Sequence, residues 1–202
     1  MERNVLELIN FYLKIGGLPL IFLIIFIETG IFLGFFLPGD SLLFTLGLLI
    51  AAKILPLEYT IIGCIVAATL GNYTGYFIGN FLYDSLKDKF FYKYEDKILK
   101  AKEFYNKYGF MAIIYARFIP FFRGFIPLVA GIVKMDLLKY TIYNIVSAIL
   151  WVSSLVFLGF FLGKTIKNIE KYIYIILFLI ILLSILPIII KSFKLSKVNK
   201  HQ

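Results

Sequence analysis

The sequence predicts an all-α membrane protein, built as an inverted repeat of two opposed re-entrant helical hairpins, about three spanning helices and short amphipathic helices at the interface. Three observations predict it. Of 202 residues, 61% are hydrophobic and 16% charged, with a mean hydropathy of +0.91, well outside the composition of soluble domains. Three stretches without Asp, Glu, Lys or Arg, Tyr59 to Tyr83, Tyr140 to Gly163 and Tyr172 to Ile190, lie near or above the roughly 20 residues that a spanning helix needs. Two other apolar windows are interrupted by proline, glycine and isolated charges. Broken backbone at membrane depth is tolerated only where protein or a wet cavity covers it, so these windows read as hairpins aimed at a polar site.

Residues Glu2 to Lys14 set Val5, Leu6, Leu8, Ile9 and Leu13 against Glu2, Arg3, Glu7, Asn10 and Lys14, which suits a short interfacial helix. No basic segment precedes the apolar run from Leu18 to Ile27 and no small-x-small site follows it, so no removable signal peptide is expected. Gly16, Gly17 and Pro19 end the interfacial helix. The window from Ile15 to Ala52 then holds only two charges, Glu28 and Asp40. Its first limb, up to Leu37, nearly suffices to cross, but the second, Ser41 to Ala52, is too short to return across about 30 Å of hydrocarbon. With Pro38 and Gly39 at the break, a re-entrant hairpin fits better than two spans.

From Leu57 to Tyr83 a small residue recurs every fourth position, at Gly63, Ala67, Gly71, Gly75 and Gly79. These lie along one stripe of a helix and allow a second backbone to approach closely, within one chain or between two copies. Asn72, in the run Gly71-Asn72-Tyr73-Thr74-Gly75-Tyr76, is placed to hydrogen-bond a hairpin across that seam. Charge returns between Asp84 and Lys107, mixed with Phe90, Phe91, Ile98, Leu99 and Phe104, as in an interfacial helix.

The next window, Tyr115 to Pro127, contains the chain's most informative residues. Arg117 and Arg123 are the only charges between Tyr108 and Val133. An arginine at the bilayer centre costs about 2.5 to 3.5 kcal/mol on insertion scales, so this pair must meet an anion, water or other protein. Pro120 removes a backbone donor, and Gly124 followed by Pro127 favours a second break, giving a second re-entrant hairpin. Lys134 to Lys139 form an interfacial turn. The spans Tyr140 to Gly163, with Trp151 packed mid-span, and Tyr172 to Ile190 close a single domain over 1–202, whose core is 18–163 and whose remainder, 164–202, is a spanning helix with a basic tail.

Phe11-Tyr12-Leu13-Lys14-Ile15-Gly16 is echoed by Phe104-Tyr105-Asn106-Lys107-Tyr108-Gly109 at an offset of 93, and an offset of 89 aligns Glu28 with Arg117 and Pro38 with Pro127. The unit would be interfacial helix, hairpin, span, used twice. One span separates the hairpins, so they enter from opposite faces, the arrangement that in many transporters places a site near the midplane. Lysine counting puts Lys87 to Lys107 and the tail Lys191 to Lys200 in the cytoplasm, with Lys164, Lys167 and Lys171 as a mild violation.

The net charge of +9 is concentrated beside the spans, so it implies anionic lipid headgroups and not nucleic acid. One cysteine, Cys64, and one histidine, His201, exclude an intramolecular disulfide, a Cys/His metal site and any histidine-dependent triad, and no cofactor or enzymatic centre is expected. Asp40 has one structural role open to it, capping a helix that starts at Ser41 or Leu42. Glu28 has no such role and is either an ion-pair partner for arginine or a proton-exchanging group. Arginine's planar fork binds phosphate oxygens bidentately, as lysine cannot. Two arginines facing two acids make a site able to trade a carboxylate for a phosphate.

Glu28-Thr29-Gly30 with Phe36-Leu37-Pro38-Gly39-Asp40, then Gly71-Asn72-Tyr73-Thr74-Gly75-Tyr76-Phe77-Ile78-Gly79, then Arg117 to Arg123 with Ala130-Gly131, together resemble the DedA family of membrane proteins, also called SNARE-associated or VTT-domain proteins. The resemblance covers roughly Leu18 to Gly163. It implies opposed re-entrant hairpins and functional roles for Glu28, Asp40, Arg117 and Arg123. It also implies lipid transport at the cell membrane, coupled to protons or membrane potential. Bacterial members recycle undecaprenyl phosphate for the envelope, with links to cationic-peptide resistance, and eukaryotic relatives scramble phospholipids. The expectation is a multi-pass inner-membrane carrier of an anionic lipid headgroup, in which Arg117 and Arg123 bind phosphate and Glu28 and Asp40 exchange protons. The rival readings are a proton-coupled small-ion exporter and a phospholipid scramblase.

Overall fold

The computed structural model describes residues 17–31, 39–86 and 95–165. Within them the chain forms six helices and no strand: α1 (Leu18–Gly30), α2 (Gly39–Ala51), α3 (Leu57–Leu86), α4 (Glu95–Phe118), α5 (Pro120–Ile132) and α6 (Leu137–Thr165). Of these, α3 and α6 are long and apolar enough to cross a membrane. The expected interfacial helix at Glu2 to Lys14, the third span at Tyr172 to Ile190, the basic tail and Pro38 fall outside the described residues. The chain divides into two compact units. The first holds α1, α3, α4, α5 and α6 as far as Ser154, and the second holds α2 and the end of α6 from Leu155.

In the first unit α3 is the spine, and its small-residue stripe explains why. A methyl group built on Gly30 of α1 would lie 2.7 Å from the Gly71 carbonyl oxygen, and one on Gly63 would meet the Phe22 ring. Farther along, a methyl on Gly75 would lie 3.0 Å from Pro127, and one on Gly131 of α5 would lie 2.7 Å from the Asn80 nitrogen. So α1 packs on the early turns of α3 and α5 on the later ones, each at main-chain distance, which only residues without side chains permit. Tyrosine hydroxyls fasten the remaining helices. Tyr73 donates to Thr141 at 2.6 Å, Tyr76 to the Met135 carbonyl at 2.6 Å, and Tyr105 to the Ile126 carbonyl at 3.1 Å, while the Tyr76 and Tyr140 rings stack at 4.5 Å.

Two expectations need correction. The interfacial helix expected between Asp84 and Lys107 is not separate from the arginine window. Glu95 to Phe118 is one helix, since no proline interrupts it and Gly109 is supported by Met135 and Tyr143. The arginine window breaks once, not twice. Ile119 is extended (φ −109°, ψ 111°), Pro120 opens α5 where its missing donor costs nothing, and Pro127 stays inside the helix. Its ring is accommodated against Gly75, where a side chain would have blocked it. The first limb of the acidic window is helical from Leu18 to Gly30, with Ile31 extended (φ −111°, ψ 130°), and its remainder up to Leu37 lies outside the described residues.

Helices α2 and α5 end alike. At α2 the nitrogens of Lys53 and Ile54 bond the carbonyls of Ile50 and Leu49, each at 3.0 Å, and at α5 those of Lys134 and Met135 bond Gly131 and Ala130, each at 3.0 Å. These are Schellman closures, with lysine in the left-handed position at φ 57° and φ 51°. Their packing also recurs. In the second unit Gly47 of α2 lies against Val156 and Phe160 of α6, and Gly159 lies beneath Phe44. In the first, Gly131 of α5 lies against Tyr76 and Asn80 of α3, and Gly79 lies beneath Leu128. The long-helix partners are 80 residues apart and the short-helix partners 84, so one helix-helix contact is used twice.

Asp136 Oδ1 accepts from the Lys139 nitrogen at 2.9 Å and caps α6. Close by, Lys134 pairs with Asp84 in the open, the two side chains 43% and 53% exposed. Asp84→Asn is therefore expected to change unfolding stability in detergent by no more than about 1 kcal/mol, the usual worth of an exposed pair.

Candidate functional site

Five polar or aromatic side chains meet inside the first unit, each fully or nearly fully buried: Glu28 from α1, Asn72 from α3, Arg117 from the end of α4, Arg123 from α5 and Trp151 from α6. The break at Ile119 turns α5 back along α4, so both arginines face the same interior. Arg123 Nη2 donates to Glu28 Oε1 in a buried ion pair. The close approach of Gly30 to Gly71 sets the height at which Glu28 stands. The indole of Trp151 lies under both guanidinium groups, 4.8 Å from that of Arg123 and 5.6 Å from that of Arg117. Such cation–π contacts contribute about 2 kcal/mol each when water is excluded.

Arg117 is held differently. Its Nη1 donates to Asn144 Oδ1 at 3.0 Å, to Ser147 Oγ at 3.1 Å and, less well, to the Asn144 carbonyl at 3.4 Å. The Asn72 amide is assigned with its oxygen accepting from Arg117 Nη1 at 2.8 Å and its nitrogen donating to the Thr29 carbonyl at 3.0 Å, which replaces a donor–donor and an acceptor–acceptor contact at the expense of the 3.1 Å bond its nitrogen would otherwise donate to Asn144 Oδ1. Ser147 gives its proton to the Asn144 carbonyl at 2.9 Å, which turns its lone pairs toward the arginine. Asn144 Nδ2 is anchored on the Thr69 carbonyl at 3.0 Å, and the Tyr140 hydroxyl on the Asn72 carbonyl at 2.9 Å. All of Arg117's acceptors are neutral and all converge on one nitrogen. Its Nε and Nη2 are buried and have no hydrogen-bond partner among the described residues.

A small cavity of about 10 Å³, room for a single water-sized group, lies beside these atoms, lined by Arg117, Arg123, Asn72, Tyr140 and Pro127. Magnitudes separate the two arginines. Separating Arg123 from Glu28 would strand buried charges, which costs about 3–5 kcal/mol when one partner of such a pair is lost. At Arg117 an acceptor arriving on the Nε–Nη2 edge would displace no partner among the described residues, because the neutral acceptors all lie on Nη1.

Three of the four expected charged residues, Glu28, Arg117 and Arg123, are thus brought together. The fourth, Asp40, belongs to the second unit, where it sits in the first turn of α2 and not at the cap of a helix starting at Ser41, since α2 begins at the buried Gly39. A carboxylate there faces the positive end of the helix dipole. Of the expected packing residues, Gly30, Gly71, Gly75 and Pro127 form the seams described, Gly124 is buried, Pro120 starts α5, and Tyr76 ties α3 to the turn after α5. Asn72 does bond across the seam, to Arg117 and Thr29. The sequence reading placed Trp151 as packing, which it is, but missed its position under the guanidinium groups. It also missed Asn144, Ser147 and Tyr140. The signal was available: Asn144 and Ser147 are polar residues three apart, hence on one face of an uncharged span, the same kind of anomaly that singled out Asn72.

A helical chain with spanning-length apolar helices and an ion pair sealed among them is built as an integral membrane protein. Residues 37–161 match the VTT domain, and the chain belongs to the VTT-domain, or DedA, family. It is 37% identical over 179 residues to Protein DedA of Escherichia coli K12, covering 85% of this chain and 80% of that one. It is 35% identical over 147 residues to the inner membrane protein YqjA of the same strain, covering 72% and 67%. It is 34% identical over 189 residues to the uncharacterized membrane protein Rv0364 of Mycobacterium tuberculosis H37Rv, covering 91% and 82%. No solved structure gives a significant match.

Proposed function

We propose that this protein carries an anionic, phosphate-bearing lipid between membrane leaflets, a polyprenyl monophosphate such as undecaprenyl phosphate. The observation that carries the reading is the sealed cluster of Arg117, Arg123 and Glu28 beside a small cavity, in helices whose outer faces are apolar. A carrier of this kind shelters only the headgroup, and the isoprenoid tail stays in lipid. Guanidinium groups supply the charge that phosphate oxygens need. Glu28 and Asp40 take up and release protons to reset the site. A membrane potential contributes about 2.3 kcal/mol per charge per 100 mV, enough to bias a cycle that moves one net charge.

The helix-helix contact used twice supports reading the chain as two copies of one unit. We take these copies as inverted and their broken helices as re-entrant, with the basic tail in the cytoplasm.

The test is lipid flipping in reconstituted vesicles containing a fluorescent polyprenyl phosphate, with an impermeant quencher outside. Arg117→Lys, Arg123→Lys and Glu28→Gln are each expected to lower the rate by about tenfold or more, the effect of about 1.4 kcal/mol at the transition state. Wild-type rates in all three would remove these side chains from the mechanism. Proton or cation flux in vesicles without polyprenyl phosphate would favour the small-ion exporter instead.

A further inference from the structure

We propose that the two arginines divide the work. Arg117 is the group that receives the phosphate, held ready by a neutral rack of Asn144, Ser147 and Asn72, while Arg123 stays paired with Glu28 as the phosphate binds and fixes the floor of the site. This deepens the carrier reading and rests on it. Three independent observations point the same way. Arg117 is 2% exposed, yet its Nε and Nη2, one edge of the guanidinium fork, have no partner among the described residues. That edge is the one a phosphate engages with two parallel bonds. The cavity beside Arg117 has room for one water-sized group, so a single oxygen acceptor has a place to enter without rearrangement. Finally, every acceptor on Nη1 is uncharged, so the arginine is oriented without being neutralised.

The rack has a physical purpose. A carboxylate in place of Asn144 would orient Arg117 equally well, but it would compete with the ligand for the same charge. Amide and hydroxyl oxygens hold the guanidinium by one nitrogen and leave its charge for an incoming anion. Asn144 is central, since it touches Arg117 through both its side chain and its carbonyl and is itself pinned to the Thr69 carbonyl. It acts through Arg117 and is a positioning residue. The ligand class is a phosphate monoester or free phosphate. An alkyl chain would distinguish the two, since the faces outside the site are apolar.

The chain has a single tryptophan, Trp151, and it lies under both guanidinium groups, so its emission reports on the site directly. Full-length protein in detergent is titrated with octyl phosphate in one arm and inorganic phosphate in the other, following Trp151 emission and melting temperature. Wild type is expected to saturate with octyl phosphate, and a comparable response to inorganic phosphate would assign the site to the free ion. Arg117→Lys is expected to weaken the apparent affinity about tenfold, a difference of about 1.4 kcal/mol, and at least about fivefold more than Arg123→Lys does. Asn144→Asp places a carboxylate against Arg117 and is expected to weaken affinity about tenfold with little loss of melting temperature, a split that a purely structural role would not give. Equal losses in Arg117→Lys and Arg123→Lys, or wild-type affinity in a folded Asn144→Asp, would overturn the division of labour but leave the carrier reading standing. No response of wild type to either phosphate, in emission or melting, would overturn both. If Asn144→Asp does not fold, the comparison of the two arginine variants decides alone.

Discussion

Glu28→Ala is expected to destabilise the protein by about 3–5 kcal/mol, the loss associated with removing one partner of a buried, hydrogen-bonded ion pair. Glu28 has no exposed surface and Arg123 only 2%, so neither can turn to water when the other is removed. The substitution takes away the carboxylate that bonds Arg123 Nη2 and leaves the guanidinium in surroundings that penalise charge. Unfolding of purified protein by sodium dodecyl sulfate, monitored by Trp151 emission, measures the effect. A paired replacement, Glu28→Leu with Arg123→Met, is expected to recover most of the loss, because apolar residues of similar volume replace buried pairs at little cost. Stability would then return without transport, which separates the pair's part in folding from its part in function. A loss below about 1 kcal/mol in Glu28→Ala would mean that the pair behaves as an exposed one.

Gly71→Ala is the next most damaging change, at about 1–3 kcal/mol, the range for added volume in a packed interior. Its new methyl group would meet Thr29 Oγ1, lie 2.5 Å from the Phe26 carbonyl oxygen and 3.1 Å from the Gly30 nitrogen. The last two are main-chain atoms, so α1 itself would have to retreat from α3. Glu28 stands on that last turn of α1, and its contact with Arg123 would loosen as well. Gly17→Ala is the control, as no atom of the described residues lies within 4 Å of a methyl group there. It is expected to change stability by less than about 0.5 kcal/mol. Melting temperatures in detergent compare the two, and equal values would show that α1 and α3 do not meet at main-chain distance.

The sequence by itself determined the class of the molecule, the helical stripe of small residues and the charged residues worth watching. Each follows from a local cost. Arg117, Arg123 and Glu28 are conspicuous because charge in an apolar window must be compensated wherever it ends up, and Gly71 and Gly75 because a four-residue spacing falls on one helix face. Breaks were legible where the chemistry is local, as at Ile119-Pro120, and misjudged where a neighbour decides. Pro127 stays helical because Gly75, fifty-two positions earlier, leaves room for its ring.

Only the tertiary structure decided which acid meets which arginine, that the two arginines are compensated by different kinds of partner, and that Trp151 lies under both. Asn144 and Ser147 became part of the site because α6 turns those two positions toward the end of α4. Composition and periodicity report what each residue costs to bury. The partner that offsets that cost is chosen by packing between helices far apart in the chain, and no local pattern encodes it.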